Sequence, residues 1–127
     1  MLDVEDVTVL GWSMGASILW SYIELFGNHR ISGLICVDQS PAQYTGPDWQ
    51  WGQKGCYDVE MFIPNIKLPT LVCVARNSNV FDWHGSAWVG ENIPGAKTVF
   101  FENSGHMLFW EEPDKFNQTV AEFVKNH

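Results

Sequence analysis

Four short runs rich in Val, Ile, Leu and Phe, at residues 7–10, 34–37, 70–74 and 98–101, constrain this chain more than any other feature. None alternates with polar residues, as a strand with one wet face would, so each predicts a strand covered on both sides. Between them lie segments of helical period. Met14–Phe26 carries apolar residues at three- and four-residue steps and meets Gly27-Asn28, a plausible C-cap. A weaker helix is predicted over residues 85–92, stopping before Pro94. A last one, over residues 113–124, opens on a proline and sets Phe116, Val120, Phe123 and Val124 on one face. Alternation of this kind predicts right-handed βαβ units, hence an α/β domain built on a short parallel sheet flanked by helices. Residues 39–64, rich in Gly, Pro, Asp and Trp, read as loop. With 127 residues the chain forms one domain at most, spanning 1–127.

Charge and composition narrow the partners. A net charge of −8 argues against nucleic acid or an anionic membrane. No window has the length and apolarity of a membrane span, and the start, with Asp3, Glu5 and Asp6, is acidic where a signal peptide would be basic. Three cysteines with no metal-ligand spacing, two of them (Cys36 and Cys73) inside apolar runs, read as buried thiols of a reducing, cytoplasmic protein without a metal. Seven tryptophans are many for this length; Trp49, Trp51 and Trp83 fall in loop-like stretches, where aromatics often line a pocket or an interface.

The chemistry centres on Gly11-Trp12-Ser13-Met14-Gly15, at the point where a strand pattern becomes a helix pattern. Gly-x-Ser-x-Gly in that setting is a nucleophile corner: the serine sits on a strained turn with its hydroxyl exposed at a helix N-terminus. The next backbone N–H, of Met14, is then aimed at a developing oxyanion. The glycines are expected where strand and helix crowd the turn. A corner kept small only for packing is the plainer alternative. His106, in "NSGHMLFWEEP", follows a strand and precedes a helix, a place from which a base reaches a neighbouring strand's C-terminal end. His29, His84 and His127 have no such setting.

These segments resemble the α/β-hydrolase family over nearly the whole chain. "EDVTVLGWSMG" is similar to its nucleophile strand and turn, "LPTLVCVARNS" to its seventh strand, and "IPGAKTVFFENSGHMLFWEEPDKFNQTVAEFV" to its last strand, histidine loop and closing helix. "ICVDQSP" followed by "DWQWG" is similar to the cofactor-free, haloperoxidase-like serine hydrolases within it. The resemblance implies the chain order serine, acid, histidine, which Ser13 and His106 obey. Its usual acid position, after the seventh strand, holds Ser78. Two carboxylates are available instead. Asp38 ends the strand before it, a rigid platform for orienting an imidazole, whereas Asp82 in "VFDWHG" needs its loop to fold back. Asp38 is the preferred acid, its plainer role being a turn-capping aspartate before Ser40-Pro41.

The resemblance further implies a truncated, capless C-terminal half of that fold, lacking the N-terminal strands and the loop that donates a second oxyanion N–H. From this follow the expectations for activity. Ser13, His106 and Asp38 would hydrolyse small activated esters through an acyl-enzyme, with broad selectivity reaching organophosphates and, as a smaller variant, metal-free halide peroxidation. A missing oxyanion donor would slow it about a hundredfold. The first strand would present an open edge, predicting a homodimer. The rival expectation, from another class, is a catalytically dead remnant serving as a homodimeric interaction module.

Overall fold

A computed structural model of the chain describes residues 3–41 and 62–127. Four parallel strands, β1 (Val7–Trp12), β2 (Ile31–Val37), β3 (Thr70–Ala75) and β4 (Lys97–Phe101), lie side by side in sequence order. Helix α1 (Met14–Phe26) joins β1 to β2, and α2 (Trp83–Asn92) joins β3 to β4. A short helix, α3 (Leu108–Glu111), and a long one, α4 (Pro113–Asn126), follow β4, and a single 3-10 turn spans Ile63–Asn65. All four strands and the three longer helices match the sequence expectation to within three residues at each end. The turn of α3 was not anticipated, because "MLFW" has no period long enough to tell strand from helix.

The parallel strands sort their side chains by parity. Leu34, Cys36, Val72 and Val74 face α1, α2 and the 3-10 turn, where Ala16, Trp20, Ile63, Ile66 and Val89 close one core. Ile35, Val37, Leu71, Cys73 and Ala75 face the other way, onto Phe101, Leu108 and Phe123 of the α3–α4 side. Trp20 is fully buried with its indole N–H on Cys36 Sγ at 3.3 Å, so its polar atom is satisfied inside the core. Truncating such a residue to Ala typically costs about 3–5 kcal/mol. Both cysteines expected inside are buried, and burial pushes each thiol up to about 12. Helix α1 ends on Gly27 at φ +76°, a left-handed cap that a side chain would strain.

Three expectations need correction. The first strand is the edge of the described sheet, as expected, but its faces are not both buried as its composition predicts; Val7 and Val9 are half-buried and Leu10 is 44% exposed. Together with Met14, Ile18, Tyr22, Leu25 and Phe26 along α1, it forms a broad apolar face that the described residues leave exposed. Val124, placed with the apolar face of α4, points outward instead, while Phe123 is buried and Phe116 and Val120 pack beside it. Trp83 belongs to no loop: it begins α2, and the Arg76 guanidinium lies 4.1 Å from its ring centre and equally far from that of Phe100, the two rings meeting edge to face at 6.1 Å. Trp49 and Trp51 lie outside the described residues. Among those described, no helix is long and apolar enough to cross a membrane.

Candidate active site

The C-terminal ends of β1, β2 and β3 and the loop after β4 converge on one corner of the sheet. At the end of β1 the chain must turn straight into α1, and it does so through Ser13 at φ +54°, a conformation rarely adopted by a residue with a side chain. Gly11 makes the turn possible. A Cβ there would meet the backbone of Gly15 and Ala16 at 2.5 Å. Gly15 is different: among the described residues nothing lies within 4 Å of a Cβ built on it, so the crowding expected around both glycines exists only at the first. The Ser13 hydroxyl does not cap α1, and the backbone N–H of Ser13 is tied to Val37 O at 3.0 Å. That bond sets Ser13 beside the residue preceding Asp38.

Asp38 leaves the end of β2 in a left-handed turn, at φ +44°, with its backbone N–H held by Cys73 O of β3 at 3.1 Å. The turn aims its fully buried carboxylate at the loop after β4. There Oδ2 lies 2.6 Å from His106 Nδ1 and accepts the Ser78 hydroxyl at 2.7 Å. Burial raises the Asp38 carboxyl above its ordinary value; the hydrogen bonds from His106 and Ser78, and the charge of His106, oppose that. Oδ2 is thus shared by the imidazole and the Ser78 hydroxyl, and it is the Nδ1 edge of His106 that is turned to the carboxyl group. Asp38 Oδ1 is buried without a hydrogen-bond partner among the described residues.

The alternative acid is accounted for elsewhere. Asp82 caps α2 through the His84 backbone N–H at 2.9 Å and lies 2.6 Å from His84 Nδ1, on the exposed surface. Of the two candidate carboxylates, Asp38 is the one in contact with His106. The geometry thus brings Asp38 and His106 into direct contact and lodges Ser13 beside them. Among the described residues no hydrogen bond joins the Ser13 hydroxyl to His106.

Residues that the sequence reading left without a role hold this corner. The Trp12 indole donates to His106 O at 2.9 Å, and the two rings stand 4.9 Å apart, so the residue before the serine grips the histidine loop. Two carboxylates at the end of α3 fold back on the same loop. Glu111 takes the Gly105 N–H at 2.8 Å, and Glu112 takes the Ser104 hydroxyl at 2.5 Å. Ser78 orients Asp38 while its own oxygen faces the backbone N–H groups of Val80 and Phe81 at 3.4 and 3.3 Å. Its one sequence signal was its position, where the resemblance leads one to expect a carboxylate. An open cleft of about 730 Å³ adjoins His106, lined by Asn77, Asn79, Asn103, Met107 and Trp110. Another, of about 540 Å³, lies at the opposite end of the sheet beside Thr70 and Lys97, away from these groups. Among the described residues no three His, Cys, Asp or Glu side chains cluster as a metal site would require.

No family model matches the chain. A proline iminopeptidase of Saccharolobus solfataricus is 37% identical over 68 residues, 54% of this chain and 22% of that protein. A putative carbamate hydrolase, RutD, of Pseudomonas savastanoi is 31% identical over 68 residues, 26% of its length. The match thus spans about a quarter of these relatives. Among solved structures, an esterase from Exiguobacterium antarcticum superposes with a TM-score of 0.90 at 20% identity, over 95% of this chain and 67% of its own. A bromoperoxidase from Bacillus anthracis gives 0.87 at 16% identity, over 97% and 68%.

Proposed function

We infer that this chain, whose fold is that of the α/β-hydrolases and whose relatives are hydrolases of that superfamily, is a serine hydrolase of small activated esters. The observation that carries this reading is the 2.6 Å contact of His106 Nδ1 with a buried Asp38 carboxylate, beside a serine held at φ +54° on a strand-to-helix corner. In the proposed reaction His106 Nε2 removes the Ser13 hydroxyl proton as Oγ adds to the ester carbonyl carbon. The Met14 backbone N–H, at the start of α1, donates to the resulting oxyanion. Collapse breaks the bond to the alcohol oxygen, which takes its proton from the imidazolium, and leaves an acyl group on Ser13. Water, giving a proton to His106 Nε2, then adds to that acyl carbon; collapse breaks the carbon–Oγ bond, Oγ takes the proton back from the imidazolium, and the acid leaves.

Asp38 keeps the imidazole in the one tautomer that can accept at Nε2 and offsets its positive charge while the proton is held there. No cofactor has a part in these steps. The open cleft beside His106 supports broad rather than narrow selectivity, extending to organophosphate esters. Ser13→Ala tests the reading: p-nitrophenyl acetate hydrolysis and labelling by a fluorophosphonate probe should both vanish in a variant whose circular dichroism is unchanged. Turnover equal to wild type would remove Ser13 from the chemistry.

A second reading, a pair of copies acting as an interaction module, is favoured by the uncovered apolar face of β1 and α1. The occupant it names is a second copy related by a two-fold axis. Antiparallel α1 helices oppose their dipoles and keep the acidic Asp3, Glu5 and Asp6 of the two copies apart. Size exclusion with light scattering reads it directly, a monomer at micromolar concentration being the result against it. A folded protein that takes no probe on Ser13 would favour this reading over the hydrolase.

A further inference from the structure

Gln39 follows Asp38 but turns to the opposite face of the sheet, and it is 2% exposed. Its side-chain oxygen accepts the Ser40 backbone N–H at 3.0 Å, which fixes the amide so that Nε2 donates to Ser17 Oγ at 2.8 Å. Ser17 stands four residues beyond Ser13, on the same face of α1 and one turn along it. The main-chain oxygen of Gln39 accepts the Ser86 hydroxyl of α2 at 3.1 Å. One buried residue therefore links the helix that carries the nucleophile, the strand end that carries the acid, and the helix after β3.

We propose that Gln39 is a positioning residue that sets the distance between Ser13 and the Asp38–His106 pair by tying Ser17 of α1 to the end of β2. The inference rests on the hydrolase reading for its kinetic consequence but not for its geometry. On the Ser13 side, the links to the rest of the molecule beyond the β1–β2 ladder include the Ser13 N–H to Val37 O, the Trp12 indole to His106 O, and this amide. The first two fix the turn itself, and Gln39 fixes the direction in which α1 leaves it. A tilt of α1 about the Ser13 corner carries the hydroxyl away from His106, and a displacement near 1 Å is worth about a hundredfold in rate.

The experiment compares Gln39→Ala, Ser17→Ala and their combination with wild type, by ester kinetics, melting temperature and backbone amide NMR. The expected result is a fall in kcat of about tenfold to a hundredfold for Gln39→Ala at little changed KM, a smaller fall for Ser17→Ala, and no further loss in the double variant. Ser17→Thr, which keeps a hydroxyl there, should recover most of the activity that Ser17→Ala loses. In both alanine variants the Ser13 and Met14 amide resonances should move. If Gln39→Ala does not fold, Ser17→Ala carries the same comparison. Losses that multiply in the double variant, or a lowered melting temperature with kcat and the Ser13 and Met14 amides unmoved, would overturn the proposal and leave Gln39 a packing residue. A wild type silent toward ester and probe would instead sink the hydrolase reading, while the amide shifts still decide the brace.

Discussion

Asp38 and His106 sit where side chains hold one another, whereas Ser13, at the same end of the sheet, stands on a turn held mainly by backbone. Around the imidazole, Ser78 grips Asp38, Trp12 grips the His106 carbonyl, and Glu111 and Glu112 anchor the loop from behind. Around the serine, among the described residues, there are main-chain bonds from its N–H to Val37 O and from the Ala16 N–H to its carbonyl, a neighbour at 70% exposure in Met14, and a glycine with open space beside it. In the proposed reaction the Asp38–His106 pair needs one tautomer and one ring orientation, which a buried, interlocked pocket would supply. In the same reaction Ser13 needs an accessible hydroxyl, which a strained corner at a helix N-terminus would supply with backbone geometry. Two kinds of rigidity meet at one site, so each should break in its own way.

The largest effect should come from the interlocked half. Asp38→Asn is expected to lower kcat by about ten thousandfold on p-nitrophenyl acetate, the scale set by losing an orienting carboxylate. Asp82→Asn, which keeps a side-chain oxygen to cap α2 and alters only the exposed contact with His84, should leave both turnover and stability near wild type. The opposite ranking would move the acid to Asp82. The same substitution makes a prediction about pH. The Asp38 carboxyl is raised in the folded protein by burial, so ionising it costs folding free energy above its unfolded value of about 3.9. Relative to wild type, Asp38→Asn should therefore gain melting temperature as pH climbs from about 3.9 through the raised folded value, and the gain should vanish at lower pH. Melting curves across that range check it; an advantage present at low pH and lost on raising it would reverse the assigned shift.

Next in size is a change at the backbone-held half. Gly11→Ala puts a Cβ at 2.5 Å from two backbone atoms of the first turn of α1, which have no flexible end to yield. A loss of about 3 kcal/mol is expected, read as a lower urea midpoint, with β1 and α1 displaced relative to each other. A midpoint equal to wild type would show that the corner is softer than its contacts imply.

This contrast also explains what the sequence could and could not reveal. The strands, α1 and α4 were legible because apolar spacing over five to fourteen residues is a local signal. So was the serine corner, since Gly-x-Ser-x-Gly between a strand and a helix is contiguous. The interlocked half was only partly legible. Asp38 and His106 are 68 residues apart and Ser78 and Asp38 are 40 apart, and no local pattern states that these will touch. Asp38 was preferred over Asp82 because a strand end is rigid, but its left-handed turn at φ +44° gives no sign in "VDQSP". The open edge of the first strand was expected from the resemblance, but the exposure of Leu10 on its face was not legible in the apolar run itself. Composition reports what a strand can bury, and only the sheet order reports what lies beside it.

Gly15→Ala should give the smallest effect and divides the two glycines most sharply. Sequence logic treats them as a pair, each making room for the turn. In the structure Gly15 is the second residue of α1, has no left-handed φ, and would meet nothing among the described residues within 4 Å of a new Cβ. Alanine there removes backbone freedom from the unfolded chain without adding a clash, so a gain of up to about 1 kcal/mol is expected. Ester turnover should stay at the wild-type level, because the residue contributes no side chain to the corner. Differential scanning calorimetry reads a gain this small as a rise of a few degrees in melting temperature. A fall instead would mean that the space beside Gly15 is filled in the folded protein, and that the serine corner has a covering neighbour after all.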